Sequence, residues 1–145
     1  MRTYLILIGC LFVTHLGTAQ ESPDFHACGD KATTQMAINA CAGDEAKRAD
    51  AELNRVYGQL LLKAEKDPVA TAKIKAAEKL WIAYRDAYIE AMYPAEDKQA
   101  AYGTMYSMET SLLTAKMSRQ HTSALKELLR QHDGGEGNPS KSPIR

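Results

Sequence analysis

Apolar side chains recur at three- and four-residue steps along three stretches of the chain, the spacing of one helical face. The first stripe is Ile38, Ala42, Ala46, Ala49, Leu53, Val56, Leu60 and Ala64. It predicts a helix over 33–65, capped by Thr33 or Thr34 and about 50 Å long at 1.5 Å per residue. Gly43 lies inside this stripe without shifting its phase. Asp67-Pro68 is a stop and restart, with proline suited to a first helical position. The second stripe, Ile74, Ala77, Trp81, Tyr84, Tyr88 and Ala91, runs to Tyr93-Pro94, where the residue before proline is pushed out of the helical region. Residues 93–103 read as a loop. From Thr104, a plausible N-cap, a third helix over 104–131 carries Met105, Met108, Leu112, Leu113, Met117, Leu125 and Leu128. Three amphipathic helices with short connections define an all-α fold: an antiparallel three-helix bundle, or a long helical hairpin with a third helix packed on it. Trp81, Tyr84 and Tyr57 are its expected aromatic core.

The two ends break this pattern. Arg2 is the first charge and Glu21 the next; between them lie an apolar run from Tyr4 to Val13 and the small residues Gly17-Thr18-Ala19. That is the layout of a cleaved signal peptide over 1–19, and its apolar run is too short to span a bilayer. The protein is therefore expected in the periplasm or outside the cell, with no stable membrane insertion after cleavage. The string Leu7-Ile8-Gly9-Cys10 matches a lipoprotein box, but cutting there leaves too short an apolar core, so lipidation at Cys10 is not expected. Residues 20–32, with Pro23 and Gly29, read as an N-terminal arm before a helical domain over 33–131. Residues 132–145, rich in Gly, Pro, Ser and charge, read as a disordered tail.

Composition narrows the picture further. At 145 residues, 45% hydrophobic and 25% charged, the chain fits one small domain. Low glycine and proline and few β-branched runs exclude a β-sandwich or barrel. Eighteen basic side chains balance eighteen acidic ones, so nothing suggests a nucleic-acid partner. Losing residues 1–19 removes Arg2, which leaves a formal charge of −1. It also leaves two cysteines, Cys28 and Cys41, and an even count in an exported chain reads as one disulfide. The alternatives are two free thiols or a metal site shared with His26; one His and two Cys fall short of the four ligands of a closed zinc site. No cofactor is called for.

No catalytic constellation emerges: there is no metalloprotease His pair, phosphate-cradling glycine loop or elbow serine. The acids alternate with lysine as on solvated helix faces. His121, in phase with Leu113, Met117 and Leu128, reads as a histidine at the core edge. Two features stand apart. Asp50 and Asn54 border the first stripe, and Arg85 follows Trp81 by one turn, so these three residues can form a polar clamp across the helix pair. Tyr93, Tyr102, Met105 and Tyr106 concentrate around one loop, of a type enriched at protein interfaces. They either meet a protein partner or fold back over the open end of the bundle.

The same residues carry a resemblance. Cys28, Thr34-Gln35, Asn39, Cys41-Ala42, Asp50-x-x-Leu53-Asn54-x-x-Tyr57, Trp81-x-x-Tyr84-Arg85-Asp86-Ala87 and Gly103-Thr104 follow one another as in the LprI-like family of exported bacterial lysozyme inhibitors. The likeness covers roughly residues 28–125. It departs at Ile89 and Leu113, which stand where the family commonly has a second cysteine pair, at His121 in place of Arg, and at Ala37 in place of Glu. The resemblance implies a small helical exported protein that is not an enzyme. It would bind a lysozyme and occlude its cleft, with Tyr102, Met105 and Tyr106 among the contacts. The alternative is a structural or adaptor protein of the cell envelope.

Overall fold

The computed structural model describes residues 21–134. Among them are five α-helices and one 3-10 turn: α1 (Pro23–Gly29), α2 (Gln35–Lys63), α3 (Pro68–Met92), α4 (Lys98–Tyr102), the turn Gly103–Met105, and α5 (Tyr106–Gly134). The expected signal peptide, Cys10 and most of the expected tail lie outside the described residues.

Helix starts follow capping chemistry. The Thr34 hydroxyl accepts from the Ala37 amide at 3.2 Å, and the Asp67 carboxylate accepts from Val69 and Ala70, both at 2.9 Å, just ahead of Pro68. Asp97 caps α4 in the same way. Thr104 does not cap the last helix, because α5 grows out of the 3-10 turn; its carbonyl instead accepts from Asn39 Nδ2 at 2.9 Å. The one positive φ in the described chain, 65°, falls on Gly103 between α4 and this turn, where a side chain would be strained.

Three expected boundaries move. The arm at 20–32 contains α1, capped by Ser22 and anchored by buried Phe25. The loop at 93–103 contains α4. The last helix continues through 132–134, the start of the expected tail.

The long helices run up, down and up, so α2 and α5 are parallel and α3 is antiparallel to both. Ion pairs Glu45–Arg119 (2.7 Å), Glu52–Lys126 (2.8 Å) and Lys63–Asp133 (2.6 Å) mark the parallel register in ascending order. Ala42, Ala49, Ala115, Ser118 and Thr122, all buried, let α2 and α5 approach closely. The main core joins Leu53, Val56, Leu60, Ala64, Ile74 and Leu125. A second cluster of Phe25, Cys41 and Ala42 packs with Met108 and Leu112 at the other end.

Helix α3 stands further off. Its buried residues are Ile74 and Glu78, with Trp81 and Arg85 half-buried, a line that keeps Ile74 and Trp81 of the expected stripe but replaces the rest with Glu78 and Arg85. Ala77, Tyr84, Tyr88 and Ala91 are exposed, because α3 is apolar around much of its circumference and periodicity alone does not select one side.

Cys28 and Cys41 are bonded, with Cα atoms 5.8 Å apart, and tie α1 to α2. The bond closes a short loop, a constraint worth roughly 3 kcal/mol in the chain-entropy model. Adding reductant, or making Cys41→Ser, is expected to lower the thermal midpoint measured by circular dichroism and to free α1 first. An unchanged midpoint would show that the bond only decorates a pre-formed contact.

Candidate functional site

The polar chemistry of the chain gathers at three places. The first is a buried carboxylate. Glu45 is 1% exposed and sits on the small-residue seam between α2 and α5. It accepts from the Ser22 hydroxyl at 2.6 Å, the Ser22 amide at 3.1 Å, Arg48 at 2.8 Å and Arg119 at 2.7 Å. Burial pushes its pKa up, but these hydrogen bonds and two guanidinium partners outweigh burial and hold it at about 2. One carboxylate thus joins α2, α5 and the segment leading into α1. Glu45 and Glu78 correct the expectation that the acids occupy solvated faces.

The second is a layered cluster between α3 and α5. His121 Nε2 lies 2.8 Å from Glu78 Oε2, both side chains largely buried. The imidazole stacks on Trp81 with centroids 4.1 Å apart and planes 4° from parallel, and the Arg85 guanidinium sits 5.4 Å from the Trp81 ring centre. His121 is therefore a bonded component of the helix contact and more than a core-edge residue. Beside it opens a groove of about 260 Å³ bounded by Tyr84, Tyr88, Lys116 and Gln120. On the other side of α3, Tyr57 packs on the main core. Burial, then the charge of Glu78, pushes the Tyr57 phenol above its usual range.

The expected clamp is rearranged. Asp50 Oδ1 accepts from Ser118 Oγ at 2.5 Å and lies 3.9 Å from Arg85, whose fork engages its neighbour Asp86 at 2.8 and 2.9 Å. Asn54 is exposed and lies apart from Arg85, in the groove with Lys75 and Lys79. The cause is the spacing of the helices: α5 is close enough for a short hydrogen bond to Asp50, whereas α3 is held away by large side chains. Of the three expected core aromatics, Tyr57 and Trp81 pack on the main cluster but Tyr84 is 58% exposed. Its three-residue step from Trp81 turns it about 60° from that ring and about 90° from the middle of the buried line.

The third place is the end of the bundle between α3 and α5. Tyr93 meets Tyr102 and Tyr106 edge-on, with centroids at 5.2 and 5.3 Å, and Tyr102 stacks on Tyr106 at 5.8 Å. The Ala95 amide donates to the Tyr102 hydroxyl at 3.1 Å. Lys98 bonds Glu90 at 2.7 Å and the Tyr93 carbonyl. Burial and the neighbouring Glu109 push the Tyr93 phenol up. The three tyrosines, offered as partner contacts, are half-buried against one another; Met105 is the exposed member, joined at the same end by exposed Met36 and Met92.

Sequence reasoning missed Glu45, Arg119, Ser22 and Glu78. A charge inside a stripe of apolar and small residues was the available sign for Glu45, which stands between Ala42 and Ala49. Among the described residues no three His, Cys, Asp or Glu side chains gather where they could hold a metal ion, and no helix is long and apolar enough to cross a membrane.

These features define a class: a small disulfide-tied helical protein whose buried ion pairs set helix register and whose aromatic and methionine side chains are left at the surface. The chain belongs to the LprI lysozyme-inhibitor family, whose sequence profile matches residues 28–125. It is also 32% identical over 121 residues to an uncharacterized protein of Rhizobium meliloti (strain 1021), covering 76% of this chain and 81% of that one. No solved structure matches it. The family's Asp-x-x-Leu-Asn-x-x-Tyr and Trp-x-x-Tyr-Arg-Asp strings lie here on α2 and α3. Leu53, Tyr57 and Trp81 share one core, so these strings serve the helix packing.

Proposed function

We propose that the protein is exported and inhibits a lysozyme by seating the end of its bundle, residues 93–106, in the enzyme's substrate cleft. Family membership supports the partner class, and the Cys28–Cys41 bond supports an oxidising compartment. The observation that carries the choice of surface is the interlocked Tyr93–Tyr102–Tyr106 cluster. It stiffens the segment, so little conformational freedom is lost when that segment docks. Met105 beside it is 47% exposed, and methionine is enriched in interface cores. Glu96 and Asp97 are exposed on the same segment. With a net charge near zero, this local acidity is what can attract a basic lysozyme.

The test is a cell-wall lysis assay with the purified oxidised protein against several lysozyme types. Inhibition is expected at micromolar concentration or below. Met105→Asp is expected to weaken it by about tenfold or more, equivalent to about 1.4 kcal/mol of binding. Because Met105 is exposed, the thermal midpoint should not move. Absence of inhibition with every lysozyme type would reject the reading and favour the adaptor role; inhibition indifferent to Met105→Asp would place the contact elsewhere.

A further inference from the structure

The outer face of α3, opposite the bundle, is an apolar seam with no partner among the described residues. Val69, Ala76, Leu80, Ala83 and Ala87 follow at steps of seven, four, three and four residues, the spacing of a coiled-coil seam, and fall within about 60° of arc at 100° per residue. All five are exposed, Val69 at 64% and Leu80 at 71%. Ile74, Glu78, Trp81 and Arg85, which hold α3 to the bundle, occupy the other side.

The charges beside this seam are ordered. One flank carries Lys75 and Lys79 in its N-terminal half and Asp86 and Glu90 in its C-terminal half. Among the described residues the two lysines have no ion-pair partner, whereas Asp86 meets Arg85 and Glu90 meets Lys98 on their own chain. A two-fold axis running between two copies of α3, level with residues 82 and 83, brings the same flanks together head to tail. It sets Lys79 level with Asp86 and Lys75 level with Glu90 of the other copy. The same register places Leu80 opposite the gap between Ala83 and Ala87, a knob facing a shallow hole. A parallel arrangement would bring this flank against the opposite one, where Ala77, Tyr84 and Tyr88 offer no charge to meet it.

We propose that the outer face of α3 is a self-association surface on which two copies of the chain pair antiparallel, Leu80 packing between Ala83 and Ala87 and Lys79 facing Asp86. One pair of helices is a small interface, at the low end of specific contacts below about 1,200 Å². The association is accordingly weak, with a dissociation constant in the micromolar range. The axis lies some ten residues from Tyr93, about 15 Å along the helix, so pairing leaves the 93–106 end free. The proposal stands independently of lysozyme inhibition.

The experiment is sedimentation of the purified oxidised protein over a dilution series. A monomer–dimer equilibrium is expected, weakened by salt. Leu80→Asp is expected to leave only monomer, with its circular dichroism and thermal midpoint unchanged because Leu80 is exposed. Lys79→Glu is expected to weaken pairing by about tenfold, through like-charge repulsion with Asp86, and adding Asp86→Lys to restore it. A protein that is monomeric from micromolar to millimolar concentration overturns the proposal. So does a dimer indifferent to Leu80→Asp, or a double variant no better than Lys79→Glu alone.

Discussion

Replacing Glu45 by alanine is expected to destabilise the protein by about 3–5 kcal/mol, the usual loss when one member of a buried charge network is removed. The variant leaves Arg119 without its carboxylate partner and both the amide and the hydroxyl of Ser22 without an acceptor. Chemical denaturation monitored by circular dichroism measures the loss; a change under about 1 kcal/mol would show that water replaces the carboxylate freely. The same group sets the acid limb of stability. Its pKa is about 2 in the folded chain against 4.5 for an unperturbed glutamate. A depressed folded value means the contribution is complete above about pH 4.5 and is lost as pH falls toward 2. The shift corresponds to about 3 kcal/mol. Glu45→Gln, starting from lower stability, should show a flatter decline across that window. Parallel acid titrations of the two proteins would refute Glu45 as the source.

Trp81→Ala is expected to cost about 3 kcal/mol and to release α3 before the other helices. The reason lies in how little else holds α3. Its buried side chains are Ile74 and Glu78, and Trp81 forms the layer between His121 and Arg85. Without the ring, His121 keeps Glu78 but loses its stacking surface, and the groove beside Tyr84 and Tyr88 opens. Hydrogen exchange reads this directly: α3 amides should exchange faster in the variant, while those in the Leu53–Leu60 part of α2 and around Leu125 in α5 stay protected. Uniform acceleration across all three helices would mean that α3 is an integral part of one cooperative unit.

The contrast between these two residues marks where sequence reading succeeds and where it stops. Trp81 announced itself: a lone tryptophan on a helical stripe, one turn from an arginine, has few places to go but a helix contact. Glu45 did not. An apolar tally passes over it, and it passes over Ser118 and Thr122 as well, yet these side chains occupy the seam between α2 and α5. Small and polar residues become interior residues only when a second backbone comes close enough to cover them, and nothing local in the sequence specifies that distance. The clamp shows the same limit. Asp50 and Arg85 come within 3.9 Å, but Asp50 is satisfied by Ser118 on α5, 68 positions away in sequence. The tyrosines near the bundle end were legible as a group; that their rings close on one another, leaving Met105 outside, depended on the turn at Gly103.

Local physics was sufficient for the helices themselves. Thr34, Asp67 and Pro68 mark helix starts and Tyr93-Pro94 a stop through hydrogen bonds and steric limits within a few residues, so these boundaries were readable along the chain. The Cys28–Cys41 bond was readable too, from the two cysteines of three that are left once residues 1–19 are set aside. The parallel pairing of α2 with α5, the distance at which α3 is carried and the burial of Glu45 and Glu78 belong to the assembled structure alone. The place of α3 depends on which of its apolar faces meets the other helices, and the burial of Glu45 on how closely α2, α5 and the segment before α1 approach; both are decided by the summed packing of residues far apart in the chain.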